Sequence, residues 1–177
     1  KEGIINNISV IYNGLSTPCK LKRNPFEHLN GYTHKVLCVA RLSPQKKVDL
    51  FLDVASRLPQ YAFIWIGNQY EYIGEYPSNV FFMGSLPDAG AYNDYADVFM
   101  LPSNYVGGIS EIVANGENGY TVGNTPEEFV EKLQYILENP DVYRMFARKS
   151  LEYYKSALTI DRMVDSYMHI YSSMLSI

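Results

Sequence analysis

The stretch VLCVARLSPQKKVDLF, from Val36 to Phe51, decides the fold. Five apolar residues lead into Arg41, a Ser-Pro pair interrupts the pattern, and Lys46 and Lys47 precede a helical repeat. A short, fully apolar run is typical of a strand that is covered on both faces. Cations at the first turn of a helix are unfavourable by roughly 0.3–1 kcal/mol each. The stretch therefore predicts a strand, a turn and a helix, with positive charge that the helix alone does not explain.

The composition is that of one globular domain. Of the 177 residues, 47% are hydrophobic and 19% are charged, and the formal net charge is −4. These values argue against a disordered chain and against nucleic acid as the main partner. The two cysteines form no disulfide framework, and Cys38 lies in an apolar run that favours buried packing. The three histidines are scattered without ligand spacing, so we expect no metal.

Short apolar runs alternate with helical patterns over the first two thirds of the chain. Residues 48–58 repeat apolar side chains at helical spacing, and residues 89–96 fit a shorter helix. Because strands and helices alternate, we predict an α/β fold with a Rossmann-like, doubly wound parallel sheet. The predicted strands are residues 8–14, 35–41, 62–67, 79–84, 97–102 and 119–123.

The last third of the sequence predicts three helices. Thr125, Pro126 and Glu128 fit the N-cap, N1 and N3 positions of a capping box. Pro140 starts a second helix, and Thr159 is predicted to cap a third. Cations in this region favour a solvated helix face, with contact at a membrane surface as the alternative. These cations are Arg144, Arg148, Lys149 and Lys155, and Glu152 interrupts them.

The junction between residue 102 and the predicted strand at 119–123 is too short. A parallel crossover normally needs a dozen or more residues that carry a full helix, and only ISEIVAN is available. Either the strand at 97–102 lies outside the parallel sheet, or residues are absent between Tyr105 and Val106. We favour the second explanation.

The cations of the first stretch fit an anion site. Ligands of open parallel sheets lie at the carboxyl ends of the strands, where Arg41 is placed. The following helix adds free N–H groups and a partial positive charge. Arg41 can grip two phosphate oxygens in one plane, and Lys46 adds a mobile charge. The alternative is that both are ordinary exposed side chains.

The segment VLCVARLSPQKKVDLFLDVASRL resembles the GRLxxxKG segment of the retaining glycosyltransferases of family four, which have the GT-B fold. The resemblance continues through FIWIGN, NVFFMGSL, YADVFMLPS and GGISEIVANGENGYTV. It implies that residues 1–177 are the C-terminal, nucleotide-sugar-binding domain of a GT-B enzyme and that an N-terminal acceptor domain is absent. The chain by itself is then expected to be inactive.

The resemblance assigns roles to a few residues. Arg41 and Lys46 match the pair that holds the diphosphate of the donor, and Ser103 matches a serine that borders the donor pocket. Phe82 and Met83 match the place where the base is read through the backbone, while their side chains pack in the core.

Other positions are less specific or depart from the family pattern. Gly107 and Gly108 match a flexible double glycine, although a plain turn explains them equally well. Ala40 and Lys47 stand where the family usually has glycine. The family's Glu-x7-Glu segment is missing, and its usual spacing places about twenty absent residues at the Tyr105–Val106 junction. The resemblance therefore names no catalytic residue.

The resemblance implies a hexosyltransferase that retains configuration, uses a UDP- or GDP-linked sugar and needs neither metal nor cofactor. Its acceptor would be lipid-linked or a glycan, in polysaccharide or glycolipid assembly.

No apolar run has the length of a membrane span and the first residues lack a signal-peptide pattern, so we expect a cytoplasmic protein, free or peripheral at the inner face of the cell membrane. Two alternatives are a fragment of a GT-B nucleotide-sugar epimerase and a non-catalytic, flavodoxin-like module that binds nucleotide or phosphate.

Overall fold

The computed structural model describes residues 9–17, 19–104 and 109–175, without the side chains of residues 109 and 110. The chain divides into two compact units. One unit is residues 18–146, and the other combines residues 1–17 with residues 147–177.

The first unit is built on a four-stranded parallel sheet. The strand order is β3-β2-β1-β4, with His34 opposite Tyr61, Val36 opposite Val98, and Phe63 opposite Val80. This order equals the first four positions of the doubly wound nucleotide-binding sheet. The predicted fold class is thereby confirmed. The strands are β1 (His34–Val39), β2 (Tyr61–Ile66), β3 (Val80–Phe82) and β4 (Val98–Phe99).

Both faces of the sheet are covered, as the apolar strand sequences require. All six residues of β2 are buried. Successive side chains of a strand point to opposite faces, so Phe63 and Trp65 pack with α1 (Val48–Arg57) while Ile64 and Ile66 pack on the other side. The second face is covered in part by a 3₁₀ helix at Ala89–Tyr95, where the sequence predicted a short helix.

The predicted helix starts are confirmed. The remaining helices are α2 (Ile109–Ile112), α3 (Pro126–Leu137), α4 (Pro140–Ala157) and α5 (Ile160–Leu175). The Thr125 hydroxyl accepts from the Glu128 amide at 3.5 Å, and the Thr159 hydroxyl accepts from the Arg162 amide at 3.3 Å. The Glu128 carboxylate accepts from the amide of Gly123, so the capping box closes two residues further upstream than predicted.

The predicted strand at 8–14 is wrong for the described residues 9–14. These residues belong to the second unit, where Leu15 donates to the carbonyl of Leu158 at 2.8 Å and forms an isolated bridge with Thr159. Gly14 lies so close to Ile160 that an added Cβ would be 2.5 Å from its Cα. The segment therefore lies beside the start of α5 instead of joining a sheet.

The predicted strand at 119–123 is also wrong. Its backbone hydrogen bonds are local, because Gly116 donates to the carbonyl of Gly119 at 2.8 Å and Thr121 donates to the Asn115 side chain at 3.0 Å. β4 pairs with β1, so the explanation that residues 97–102 lie outside the sheet is wrong as well. Without a strand at 119–123 no crossover is required, and the prediction that a segment is absent then rests on the resemblance alone. The Tyr105–Val106 junction lies outside the described residues.

The basic face of α4 is partly ion-paired. Arg144 contacts Asp141 at 2.7 Å, and Arg148 contacts Glu152 at 3.8 Å, with all four side chains exposed. Such pairs are typical of a solvated helix face. Of the helices that the structure describes, none combines the length and the apolar character that crossing a membrane requires.

Candidate functional site

The chain leaves β1 at a point that the neighbouring strand fixes. The Ala40 amide donates to the carbonyl of Ile66 at 2.9 Å, and the Ala40 carbonyl accepts from the Trp65 indole at 2.8 Å. Gly67 passes so close that an added Cβ would lie 2.7 Å from the Ala40 oxygen. Arg41 follows directly, with an exposed side chain.

The turn after Arg41 is compact. Pro44–Lys46 form one turn of 3₁₀ helix, which the bond from the Lys46 amide to the Ser43 carbonyl closes at 2.9 Å. Lys47 then adopts φ 44° and ψ 58°, and α1 begins at the next residue. This left-handed conformation costs a residue with a Cβ roughly 1–2 kcal/mol. It gives a physical reason for the glycine that the resembling family has where this chain has Lys47.

The loop after β4 holds the turn from the other side. The Ser103 hydroxyl donates to the Gln45 carbonyl at 3.3 Å, and the Asn104 amide donates to the same oxygen at 3.1 Å. Asn124 in turn donates to the Ser103 carbonyl at 3.3 Å. Ser103 is 7% exposed, while its partners Gln45, Asn104 and Asn124 are exposed, so these bonds are partly buried. Three loops separate in sequence therefore meet beyond the carboxyl ends of β1 and β4.

This meeting point is where ligands bind in folds of this kind. The strand order reverses beside β1, and the crevice outside such a switch point is the usual binding site of a doubly wound sheet. The N-terminus of α1 opens at the same edge and offers unpaired N–H groups to an anion. The sequence-predicted Arg41, Lys46 and Ser103 all belong to the loops at this edge.

The two cations have no charge partner among the residues that the structure describes. Within those ranges, neither Arg41 nor Lys46 makes a side-chain hydrogen bond or an ion pair. Burial raises the pKa of the Cys38 thiol, and the nearby Lys46 ammonium counteracts that rise. Lys46 is half-buried and its charge acts on the second half of β1. The site thus carries positive charge that could neutralise an anionic ligand.

Phe82 and Met83 have packed side chains, as predicted. The ring of Phe82 is stacked on Tyr72, with centroids 5.0 Å apart and planes 8° apart. Met83 packs on the opposite face of the sheet, and its amide donates to the Trp65 carbonyl at 2.9 Å. Since that amide is committed to the sheet, it is not free to read a base. Gly107 and Gly108 lie outside the described residues.

Sequence reasoning missed the groups that tie the loops together. Gln45 acts through its backbone carbonyl, which no side-chain pattern announces. Asn68 is 7% exposed, accepts from the Gly84 amide at 2.8 Å and donates to the Tyr70 carbonyl at 3.2 Å. An amide residue directly after a strand was the available signal for this link between the ends of β2 and β3.

Two cavities that described residues line lie near the site. One, of about 590 Å³, lies between the turn at 42–44, the start of α1 and Tyr72. The other, of about 320 Å³, lies between the end of β4 and α3. Apolar side chains dominate its lining, which also includes Ser103. Among the described residues, no group of three or more His, Cys, Asp or Glu could hold a metal ion.

Known proteins are similar in fold. A family model described as Glycosyl transferases group 1 matches residues 33–107, which include all four strands. Among solved structures, Anabaena HepE in complex with UDP and glucose superposes with a TM-score of 0.70 at 17% identity, over 84% of this chain and 50% of that chain. No curated protein matches the sequence.

Two further structures differ in length. A mutant form of Staphylococcus aureus TarM in complex with fondaparinux, alpha-GlcNAc-glycerol and UDP has a TM-score of 0.67 at 14% identity, over 96% of this chain and 40% of that chain. The C-terminal domain of the group 1 glycosyl transferase LpcC from Francisella tularensis has a TM-score of 0.64 at 13% identity, over 80% of this chain and 95% of that chain. The chain spans about half the length of HepE. Its fold is that of the Rossmann-like C-terminal domain of GT-B glycosyltransferases.

Proposed function

We propose that this chain is the donor-binding half of a retaining, nucleotide-sugar-dependent hexosyltransferase. The observation that carries the proposal is the pair of hydrogen bonds from Ser103 and Asn104 to the Gln45 carbonyl. They hold the turn that carries Arg41 and Lys46 against the end of β4. The family model over residues 33–107 and the UDP-bound HepE structures support a UDP-linked donor, with GDP as the alternative.

In this proposal Arg41 and Lys46 bind the diphosphate. Negative charge develops on the diphosphate as its bond to the sugar breaks, and fixed cations stabilise that charge in place of a metal ion. Arg41 follows a strand end that the Trp65 indole holds, so its backbone needs little reorganisation. Ser103 borders the donor pocket, and the backbone near Phe82 and Met83, apart from the committed Met83 amide, contacts the base. No side chain of the described residues is assigned as a nucleophile or a base.

The proposal requires parts that lie outside these 177 residues. An N-terminal acceptor domain would complete the cleft and cover the apolar residues that α5 exposes, among them Val164, Met168, Tyr171 and Leu175. A segment of about twenty residues with the family's Glu-x7-Glu would lie between Tyr105 and Val106. We therefore expect no transfer from the chain alone. Reading the coding sequence across that junction and upstream of residue 1 tests both parts.

The acceptor is proposed to be a glycan or a lipid-linked sugar, in polysaccharide or glycolipid assembly. The enzyme would then work in the cytoplasm, free or peripheral at the inner face of the membrane. Fractionation of cells that express the full-length protein tests the location. Recovery only from outside the cytoplasmic and inner-membrane fractions would contradict it.

Calorimetry of UDP binding to the chain tests the site. A hydrogen bond to a charged group is worth about 1.5–3 kcal/mol, so Arg41→Ala should weaken UDP binding by about 10- to 100-fold. Lys46→Ala should have a similar effect. Arg23→Ala is the matched control, because Arg23 is an exposed cation of the same unit outside these loops. UDP binding that is absent, or equally tight in all variants, would overturn the proposal.

An assay of sugar transfer by the full-length enzyme distinguishes the proposed function from the alternative functions. Arg41→Ala or Lys46→Ala should lower turnover by about 10²–10³-fold, as the loss of a preorganised charge-stabilising group does elsewhere. The double variant should lose less than the product, because both residues serve one leaving group. UDP binding that no attached sugar improves would favour a non-catalytic nucleotide-binding module.

A further inference from the structure

The cavity of about 590 Å³ is separate from the residues assigned to the diphosphate. Pro44, Lys47, Val48, Asp49 and Tyr72 are among the residues that line it. Arg41, Lys46 and Ser103 are not in its lining. Its volume lies within the usual range of small-molecule pockets, about 300–1,000 Å³.

The aromatic wall of the cavity is held rigidly. Tyr72 stacks on Phe82 and meets Tyr76 edge-on, with ring centroids 5.8 Å apart. Gly74, at φ +148°, packs so closely that an added Cβ would lie 3.1 Å from the Tyr72 ring. These contacts restrain the plane of the Tyr72 ring. A ring that is already fixed loses little side-chain entropy on binding.

Two other residues of the lining are charged, and one of them has a strained backbone. Lys47 and Asp49 make no ion pair within the part of the chain that the structure describes. Lys47 also holds the left-handed conformation, which glycine would adopt at lower cost. Strain of this kind clusters at binding sites. The cavity therefore combines an aromatic ring and apolar side chains with a charged donor, Lys47, a charged acceptor, Asp49, and the hydroxyl of Ser43.

We propose that this cavity binds a pyranose ring of a glycan substrate. Such a ring has a face of C–H groups and a rim of hydroxyls. The negatively charged face of an aromatic ring attracts C–H groups, which matches Tyr72, while Pro44 and Val48 supply apolar contact. Asp49 accepts hydrogen bonds from hydroxyls and Lys47 donates to them. The inference rests on the proposed function, since it names the substrate class that the transferase would take.

Amide NMR spectra of the isotope-labelled 177-residue chain test the proposal. The probes are the methyl glycosides of glucose, galactose, mannose and N-acetylglucosamine, titrated to tens of millimolar because single sugars are expected to bind with a Kd of about 1 mM or weaker. We expect shifts at Lys47, Val48, Asp49 and Tyr72 with at least one glycoside. Shifts at none of these amides with any of the four would overturn the proposal.

Variants of the lining identify the contact. Tyr72→Ala should abolish the shifts and Tyr72→Phe should keep them, because the ring and not the hydroxyl forms the wall. Tyr70→Ala is the matched control, since Tyr70 is 78% exposed on the same loop and does not line the cavity. Asp49→Asn, which removes no volume, should weaken the shifts even if Tyr72→Ala perturbs folding. Equal shifts in all variants would refute the site.

UDP and uridine in the same experiment separate this inference from the proposed function. UDP should shift residues of the Arg41 and Ser103 loops, and Tyr72→Ala should leave those shifts intact. UDP binding without any glycoside binding would refute the sugar site and support the donor site. Glycoside binding without UDP binding would support the sugar site and refute the donor site. Uridine shifts at Tyr72 that compete with the glycosides would overturn the sugar assignment in favour of a base.

Discussion

Gly67 gives the sharpest test of how the site is held. Its φ is +108°, and a Cβ added there would lie 2.7 Å from the Ala40 oxygen and 3.0 Å from the Ala40 carbonyl carbon. Both contacts are to backbone, which cannot swing aside as a flexible side chain can. The same oxygen accepts the hydrogen bond from the Trp65 indole. Gly67→Ala must therefore move the chain immediately before Arg41.

The expected cost has two parts. A residue with a Cβ at this positive φ costs about 1–3 kcal/mol. Loss of the bond between the Trp65 indole and Ala40 adds about 0.5–1.5 kcal/mol. We expect the free energy of unfolding to fall by about 1.5–4.5 kcal/mol. Urea unfolding with an m value of about 1–3 kcal/mol/M would then show a clearly lower midpoint.

Fluorescence of Trp65, the single tryptophan of the chain, reports the unfolding. Two other glycines supply matched controls. Gly84 has φ +77° and open space around its missing Cβ, so Gly84→Ala isolates the conformational cost. Gly31 has open space and no positive φ, so Gly31→Ala should stay within about 0.5 kcal/mol. If Gly67→Ala costs no more than Gly84→Ala, the close approach to Ala40 is wrong.

Three further predictions concern stability. The buried Asn79 amide donates to the carbonyls of Ala55, Leu58 and Tyr61 at 2.9–3.1 Å. Asn79→Ala should therefore lower the free energy of unfolding, measured in urea, by about 2–4 kcal/mol. A change within about 0.5 kcal/mol would contradict this role. Lys47→Gly should raise the free energy of unfolding by about 1 kcal/mol by relieving the left-handed residue; a lower midpoint would refute the strain. Burial and a hydrogen bond with the Glu138 carboxylate raise the pKa of Tyr61 to about 12. The pKa of a tyrosine in the unfolded chain is about 10. The contribution of Tyr61 to the free energy of unfolding is therefore complete below about pH 10 and is lost as the pH rises towards 12. Tyr61→Phe should remove that loss of stability, and an unchanged dependence of stability on pH would refute the prediction.

The fold was largely predictable where the pattern is local. β1, β2 and α1 follow from contiguous residues, because an apolar run and a helical repeat need no knowledge of their neighbours. β3 and β4 were placed correctly but are shorter than predicted, with three and two residues. The predicted strands at 8–14 and 119–123 failed because a strand exists only where another strand pairs with it. Residues 9–14 lie beside α5, and residues 119–123 make their backbone hydrogen bonds to residues nearby in the sequence.

The candidate site likewise has a part that the sequence predicts and a part that only the tertiary structure shows. The sequence by itself determined which residues carry the charge, since Arg41 and Lys46 flank a strand end and a helix start within six positions. Only the tertiary structure decided that the Gln45 carbonyl accepts from Ser103, 58 residues away, and that one of sixteen tyrosines, Tyr72, stacks on Phe82. Charge and periodicity are properties of neighbouring residues and can be read along the chain. Contacts between distant loops depend on how the strands are ordered, and that order is fixed by the packing of the whole sheet.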